Sequence, residues 1–319
     1  MIEDNRFASL VFNALLKRYK LQHHKILGPV WQYLWDASIR IYPGPVSVNV
    51  HGRRILVNNG HSYPLYARRF LHWNNPLIVL VHESAAALSR AVILVDIGAS
   101  VGDTVLLLES NCSSDVRKYV CVEGDADFFR YLEANLNQPD RYELYKVMLS
   151  DSDSVMPSLV RIHAGTASAQ GESTVPALSF DNLMASSGII PDVIKIDVDG
   201  YDGKVLSGMQ KTLELHKPAI IFEWDPSLCK KTDNSWKQHF DILTKFGYTR
   251  FVWFSKYGDF SHFMTVLDAD AIERLAEVCL SGEHDDGWHY DIVALHGSSA
   301  VSDYRLALQE FAKHRRSWY

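Results

Sequence analysis

Two stretches of this 319-residue chain have the pattern of a buried strand that ends at acidic side chains. The first reads VILVDIGASVGDT from residue 92, and the second reads VIKIDVDGYD from residue 193. Gathering like charges at buried strand ends is costly unless a cation, a metal or polar donors compensate. The sequence therefore predicts a functional pocket where these strands end.

The glycine loop after the first strand indicates what the pocket binds. Its spacing is not the G-x-G-x-x-G of pyrophosphate sites, and no Lys or Arg lies between Arg90 and Arg117. Two carboxylates at a helix N-terminus disfavour a diphosphate and suit a ligand with an ammonium and a sulfonium, which points to S-adenosylmethionine. An ordinary strand-turn-helix corner without a ligand is the alternative. The predicted cofactor contacts in this loop are Asp96, Gly98, Ala99, Ser100, Gly102, Asp103 and Thr104.

Three further segments extend the predicted cofactor site. Glu123 ends the second apolar strand, 21 positions after Gly102, where an acid in such a unit bonds a ribose diol. The third strand, residues 142–149, ends at two polar residues that we expect at the adenine edge. The contacts predicted from these segments and from the second acidic stretch are Glu123, Gly124, Ser150, Asp151 and Asp197.

The second acidic stretch and the strand after it bring more carboxylates to the same edge of the sheet. Pro218 starts the next buried strand, which ends at FEWD. The carboxyl ends of neighbouring parallel strands share one crevice, so these carboxylates are expected to lie together there. A contribution to stability does not explain such a cluster, because burying like charges together is costly. The five carboxylates are Asp197, Asp199, Asp202, Glu223 and Asp225.

The elements that position these residues alternate between strand and helix and predict an α/β fold with a doubly wound, mostly parallel sheet. A last strand at residues 290–296 follows a long connection and is expected to form an antiparallel edge hairpin. Upstream, a helical pattern at residues 1–36 and a hairpin at 41–57 precede the sheet, and residues 152–176 predict a loop or a small hairpin. We expect an N-terminal extension (1–76), a main domain (77–300) and a C-terminal helix (301–319).

Composition limits the class of protein. The hydrophobic share of 47% and the charged share of 22% are typical of a globular chain, and a net charge of −6 argues against a nucleic-acid-coating surface. Neither a signal peptide nor a bilayer-spanning run is evident, so we expect a cytoplasmic location. A basic patch, residues 17–25, would suit a membrane surface or an anionic glycan, although a solvated helix face is the commoner explanation. The sequence does not indicate an oligomeric state.

From residue 94 to residue 296 the chain resembles the FkbM-type S-adenosylmethionine-dependent methyltransferases. The resemblance rests on the order and spacing of DIGASVGDT, VEGDADFFRYLEANL, LSDSDS, VPALSFDNL, IKIDVDGYDGKVLSG, FEWDP and DIVAL. Ser100 stands where the family more often has Asn, and Asp199 and Asp202 stand where it more often has Glu. The resemblance implies a seven-stranded, Rossmann-like class I methyltransferase sheet and methyl transfer to an oxygen, often on sugars or secondary metabolites.

That chemistry needs an aligned acceptor and a group that removes its proton. Asp199 and Asp202 are predicted as base or acceptor-orienting groups, with Glu223 as a further contact. Alternatively a divalent metal held by Asp197, Asp199 and Asp225 would lower the acceptor pKa. We rank the metal below direct base catalysis, because no histidine or asparagine ligand is evident beside these acids.

Polar aromatics predict a sugar or other hydroxylated small molecule as the acceptor. They crowd residues 58–76, as His61, Tyr63, Tyr66, His72 and Trp73, and such side chains join a flat apolar body to a polar tip. Capping one edge of the sheet is the alternative role. The predicted substrate contacts are Tyr63, Trp73, Trp224, Tyr257 and His262. A nicotinamide oxidoreductase and a non-catalytic S-adenosylmethionine-binding protein remain as rival functions.

Overall fold

The computed structural model describes residues 2–163, 166–282 and 287–309. Its strands are β1 (Pro45–Val50), β2 (Arg53–Asn58), β3 (Val92–Ile97), β4 (Val116–Glu123), β5 (Tyr142–Lys146), β6 (Met148–Ser150), β7 (Ser154–His163), β8 (Thr166–Ser179), β9 (Val193–Ile196), β10 (Ala219–Trp224), β11 (Tyr248–Ser255), β12 (Phe260–Met264) and β13 (Tyr290–His296). Its α-helices are α1 (Arg6–Lys17), α2 (Leu27–Ile41), α3 (Tyr63–Arg69), α4 (Asn75–Leu88), α5 (Asp103–Asn111), α6 (Ala126–Asn135), α7 (Phe180–Ser187), α8 (Asp202–Ser207), α9 (Gln210–Leu215), α10 (Pro226–Lys231), α11 (Gln238–Lys245), α12 (Ala269–Ser281) and α13 (Asp303–Leu308).

The main sheet has the order β12-β11-β13-β10-β9-β3-β4-β5. The five strands from β10 to β5 are parallel to one another, whereas β13 is antiparallel to both of its neighbours. All six residues of β3 are buried, as expected of a central parallel strand. The α/β fold with a mostly parallel sheet is therefore confirmed.

Two details of the predicted sheet are wrong. The described residues form an eight-stranded sheet instead of a seven-stranded one, because β12 adds a strand beside β11. The last strand, β13, is not at the edge but lies between β10 and β11. The physical reason is its apolar run, residues 292–295, which is fully buried and would be exposed on one side at an edge.

Helices cover both faces of the sheet, and the alternation of side chains along each strand divides the core in two. Leu94 belongs to the apolar cluster that includes α4, α5 and α6, whereas Val95 belongs to the cluster that includes α8, α11 and α12. Both faces of the sheet are thus sealed, and polar groups gather at the strand ends.

The N-terminal residues pack on the first of these clusters. In α1 and α2, Phe12 packs against Trp35 in a tilted arrangement with 5.4 Å between ring centroids, and the Trp31 indole donates to the Leu15 carbonyl over 3.1 Å. Strands β1 and β2 form an antiparallel hairpin. No helix of the described chain is both long and apolar enough to cross a bilayer.

The segment after β5 folds into a second, three-stranded sheet of order β6-β8-β7. Its long hairpin, β7 and β8, lies where the sequence predicted a loop or a small hairpin. The helical segment after β9 is divided at Gly208 into α8 and α9. Of the predicted C-terminal helix (301–319), residues 303–308 are helical and residues 310–319 lie outside the described part.

Candidate active site

A cavity of about 890 Å³ opens at the carboxyl ends of β3, β4, β9 and β10. Its wall combines the glycine loop, the acidic strand ends, the aromatic segment before α4 and the hairpin of β7 and β8. Crevices at this edge of an open α/β sheet are where such folds bind ligands. The structure therefore brings both acidic stretches of the sequence to one site.

The glycine loop, residues 98–102, is wedged between its neighbours. The backbone N–H groups of Gly98 and Ala99 donate to the Val122 carbonyl of β4 over 2.9 and 3.1 Å. Gly98 has a φ of +82°, and a Cβ there would overlap the carbonyl oxygen of Asp197. Gly98, Ser100, Asp103 and Thr104 line the cavity, whereas Ala99 and Gly102 do not.

Asp96 lies behind the wall and not on it. Its carboxylate is completely buried and 3.4 Å from Nζ of Lys195, which lies 3.0 Å from the Asp197 carboxylate. Burial raises the pKa of Asp96. Burial alone would lower the pKa of Lys195, but the negative charges of Asp197 and Asp96 outweigh this effect and raise that pKa. A permanently charged ammonium group therefore bridges β3 and β9. Asp96 therefore influences the cavity indirectly, by holding the ammonium group of Lys195, which lines it.

Glu123 presents its carboxylate at the end of β4. One oxygen accepts from the Ser100 N–H and the other from the Asp125 N–H, both over 2.7 Å. Burial raises the pKa of Glu123 to about 7. Each carboxylate oxygen has a second lone pair, so Glu123 can accept two more hydrogen bonds from a ligand. Glu123 and Gly124 both line the cavity.

The structure does not bring the predicted adenine residues to the wall. Ser150 ends β6 in the small sheet, where it is buried and its hydroxyl donates to Asp151 over 3.2 Å. The lining of this part of the cavity is apolar instead and consists of Phe128, Val147, Met148, Leu149, Met156 and Leu159.

Four of the five clustered carboxylates line the cavity: Asp197, Asp199, Glu223 and Asp225. Asp199 has a left-handed φ of +51°, a strained conformation that is frequent at functional sites. Burial, followed by the charge of Asp197, raises the pKa of both Asp199 and Glu223. Asp225 caps α10 by accepting from the N–H groups of Ser227 and Leu228.

Asp202 differs from its neighbours because it does not line the cavity. It lies buried at the start of α8, where its Oδ2 accepts from the Gly200 N–H over 3.3 Å and its Oδ1 has no partner among the described residues. Burial raises the pKa of Asp202 to about 8. Among the described residues no group of His, Cys, Asp or Glu side chains is arranged to hold a metal ion. This includes the predicted metal ligands Asp197, Asp199 and Asp225.

His289 is a site residue that the sequence did not indicate. Its Nε2 lies 3.2 Å from Oε1 of Glu223, and its Nδ1 lies 3.0 Å from the Gly287 carbonyl oxygen. Burial lowers the pKa of His289. Pairing of β13 with β10 could have indicated His289, because an antiparallel neighbour of β10 begins where β10 ends and His289 directly precedes β13. Asp291 lines the same corner, and burial raises its pKa to about 7.

The aromatic end of the cavity contains three of the five predicted substrate residues: Tyr63, Trp73 and Tyr257. The other two lie elsewhere. Trp224 is 0% exposed and its indole donates to the Trp236 carbonyl, and His262 stacks on Trp253 outside the cavity. Trp224 belongs to the core around β11, because Trp224 and Glu223 point to opposite faces of β10. His262 is half-buried on β12. The wall also contains His61, Tyr66, Arg69, Phe70 and Lys256.

This aromatic wall joins two distant parts of the chain. Phe70 stacks on Tyr257 at 4.0 Å, and His72 pairs with Asp259 at 2.5 Å. Gly258 has a φ of +83°, and a Cβ there would overlap the His72 carbonyl oxygen. The Gln309 amide donates to the Gly258 carbonyl over 2.6 Å. The turn at residues 255–259 is therefore fixed from both sides.

A doubly wound α/β sheet with its cavity at the carboxyl strand ends defines a nucleotide-type ligand-binding fold. The family model described as "Methyltransferase FkbM domain" matches residues 96–250. This range includes the glycine loop, Glu123 and the acidic cluster, and over it the chain is similar to the FkbM methyltransferases. No curated protein sequence matches the chain.

Solved structures similar to this chain include three methyltransferases. The FkbM methyltransferase of Methylobacillus flagellatus KT is 14% identical with a TM-score of 0.36, and the match covers 89% of this chain and 58% of that one. This chain thus spans less than two thirds of that protein. The plantazolicin methyltransferase BamL is 10% identical with a TM-score of 0.42 and coverages of 92% and 99%. An O-methyltransferase from Bacillus cereus is 14% identical with a TM-score of 0.36 and coverages of 70% and 80%.

Proposed function

We propose that this chain is an S-adenosylmethionine-dependent O-methyltransferase whose acceptor is a hydroxyl of a sugar or of a related small metabolite. The observation that carries the proposal is Glu123, held by Ser100 and Asp125 on the wall of a cavity that the glycine loop also lines. The FkbM domain match over the same residues supports the class of reaction. Bound S-adenosylmethionine would supply a methyl group activated by its sulfonium.

The cofactor half of the cavity fits this ligand chemically. Glu123 offers acceptors for a ribose diol, and the half-exposed Asp197 carboxylate offers a partner for an ammonium. Gly98 lines the cavity, and its missing Cβ lets the glycine loop pack directly against the Asp197 carbonyl. Apolar side chains, Phe128 and Met148 among them, give a nucleobase a surface to pack on.

The acceptor half contains the proposed base. A neutral His289 that donates its Nδ1 proton to the Gly287 carbonyl has a lone pair on Nε2, the atom that faces Glu223. Once the pair has lost its shared proton, Nε2 can take the proton of an acceptor hydroxyl, and the Glu223 carboxylate stabilises the imidazolium. Asp199, which lines the same cavity, orients the acceptor. Asp202 is too deeply buried to touch it and supports the Asp199–Gly200 turn.

The aromatic wall supports a sugar-like acceptor. Tyr66, Phe70, Trp73 and Tyr257 give flat apolar faces, and Arg69 and Lys256 add donors at their margin. A pyranose has apolar C–H faces and a rim of hydroxyls, and it binds well to such surfaces. The carboxylates of Asp199 and Glu223 lie in the same cavity and can accept hydrogen bonds from the remaining hydroxyls.

The test combines binding with product detection. Calorimetry with S-adenosylhomocysteine and with NADH is followed by incubation with S-adenosylmethionine and a panel of monosaccharides and hydroxylated metabolites, read by mass spectrometry for the gain of one methylene. We expect S-adenosylhomocysteine to bind, NADH not to bind, and a sugar to gain the mass.

Two results would contradict the proposal. Binding of NADH without S-adenosylhomocysteine would support a nicotinamide oxidoreductase. Cofactor binding with no methylated product from any hydroxylated acceptor would support a non-catalytic binding protein. Glu133→Gln, an exposed change on α6, is the matched control for Glu123→Gln in the binding assay.

A further inference from the structure

Helix α2 has apolar side chains on two of its sides, and only one side is packed. Trp31 and Trp35 face α1 and the core. On the other side the exposed fractions are 76% for Ile26 just before the helix, 66% for Tyr33 and 83% for Ile41. The exposed apolar side chains of this segment are Ile26, Leu27, Val30, Tyr33, Leu34 and Ile41.

These side chains form one stripe. At roughly 100° per residue they fall within an arc of roughly 120° along the whole length of the helix. The exposed polar residues Gln32, Asp36 and Arg40 lie on a separate narrow strip beside it. Monomeric soluble proteins rarely leave so continuous an apolar surface to water, so the stripe is a docking surface.

A cationic segment lies directly before this stripe. Its exposed side chains are Lys17, Arg18, Lys20, His23, His24 and Lys25. No carboxylate of the described chain pairs with Lys17, Lys20 or Lys25, although the whole chain has a net charge of −6. The charge of this corner of the molecule is therefore opposite to that of the chain as a whole.

We propose that α2 and residues 17–25 dock on a membrane surface that contains anionic lipid headgroups. An apolar stripe with Tyr at its centre and lysines at one end is the chemistry of a helix that lies in the headgroup boundary. A second copy of the chain fits less well. A second copy would cover the stripe, but the same face of that copy is also net cationic and offers the cationic segment no complementary charge.

The first experiment uses the full chain and sedimentation with vesicles. The probes are phosphatidylcholine vesicles with and without phosphatidylserine at about 30 mol%, a share that gives the vesicle surface a negative potential. Binding is expected to the mixed vesicles, to be weak on phosphatidylcholine alone, and to fall as salt rises. Failure to bind mixed vesicles at low salt would overturn the proposal.

Two sets of variants separate the charge from the apolar stripe. Lys20→Gln with Lys25→Gln is expected to weaken partitioning roughly fivefold per lysine, and Val30→Ser with Leu34→Ser roughly tenfold or more. The matched controls are Lys146→Gln with Lys211→Gln and Leu215→Ser with Val266→Ser, all at exposed positions away from α2. Because every changed side chain is exposed, melting temperatures should stay unchanged. Equal losses in the controls would overturn the assignment of this face.

A label reports the orientation of the helix. All four cysteines, Cys112, Cys121, Cys229 and Cys279, are buried, so Leu34→Cys can be labelled selectively with an environment-sensitive fluorophore. Its emission should rise and shift to the blue on mixed vesicles, whereas the same label at Gln32→Cys should change little. An increase in emission that depends on protein concentration and not on vesicles would indicate a second copy of the chain on the stripe. Together with a dimer that is lost in the Val30→Ser, Leu34→Ser variant, this result would refute membrane docking.

Discussion

Nε2 of His289 lies 3.2 Å from Oε1 of Glu223 because β13 begins beside the end of β10. The two groups titrate together, since burial lowers the pKa of the imidazole and raises that of the carboxyl. Only the pair that has lost its proton can act as a base. The rate of methyl transfer should therefore rise with pH through the apparent pKa of the pair.

The variants of this pair give the first prediction. His289→Gln should lower kcat by roughly two orders of magnitude or more and abolish the rising limb of the pH profile. Glu223→Gln should lower kcat by roughly one to two orders of magnitude while the limb remains but shifts. Affinity for S-adenosylhomocysteine should change little in both, and His216→Gln, an exposed change, is the control. A pH profile that His289→Gln leaves unchanged would show that another group is the base.

Glu123 gives a prediction about cofactor binding and its pH dependence. If Glu123 binds the ribose as proposed, its carboxylate form accepts from both hydroxyls, so affinity for S-adenosylhomocysteine should be lost as pH falls through about 7. Glu123→Gln should weaken binding by about 1–3 kcal/mol above that pH and by less below it. Calorimetry in buffers of different ionisation heat should detect proton release that the variant reduces. Equal affinities of wild type and variant across the pH range would place the ribose elsewhere.

Asp202 gives a prediction about stability. Its pKa in the folded chain, about 8, is above its value of 3.8 in the unfolded chain, so the folded state binds more protons between these values. The burial of this carboxyl therefore costs stability that grows as pH rises from about 4 to 8. Asp202→Asn should raise the free energy of unfolding by roughly 1–3 kcal/mol at pH 8 and change it little near pH 4.

Denaturant unfolding at the two pH values checks this prediction. Asp241→Asn, at an exposed position on α11, is the control and should show no such difference. A variant that is destabilised equally at both pH values would indicate that Asp202 matters as an ionised hydrogen-bond acceptor.

The aromatic wall gives a prediction about the acceptor. Tyr66 lines the cavity and is 42% exposed, so Tyr66→Ala removes a stacking surface without opening the core. It should raise the KM for a sugar acceptor roughly threefold to thirtyfold with unchanged melting temperature and cofactor affinity. Tyr304→Ala, also exposed, is the control. Tyr63 suits this test poorly, because it is buried and its hydroxyl contacts His51 at 2.6 Å. An unchanged KM in Tyr66→Ala would indicate that these aromatic rings cap the sheet and do not bind the acceptor.

The sequence was most informative where one local pattern sufficed. The strand and glycine loop around Asp96 and the strand that ends at Glu123 depend on neighbouring residues in the chain, and both elements lie where expected. Side-chain direction was harder to predict. Glu223 and Trp224 are adjacent, but only the first can face the cavity, and the assignment of Trp224 to the substrate ignored that alternation.

The site residues that the sequence did not indicate depend on long-range pairing. Lys195 matters because β9 lies beside β3 and places its ammonium next to Asp96. His289 matters because β13 enters the sheet between two earlier strands instead of at its edge. Neither partnership can be inferred from spacing, since the residues of each pair are far apart in sequence and only the strand order brings them together.

The fixed turn at residues 255–259 has a consequence for the order in which the protein matures on the ribosome. The wall is joined to this turn through Phe70 and His72, and Gln309 holds the turn from the other side, so these contacts form only after the last described residues have been synthesised. A nascent chain that has not yet emerged to Gln309 therefore lacks the last contact that holds this wall. The aromatic wall is thus among the last parts of the described molecule to be completed during synthesis.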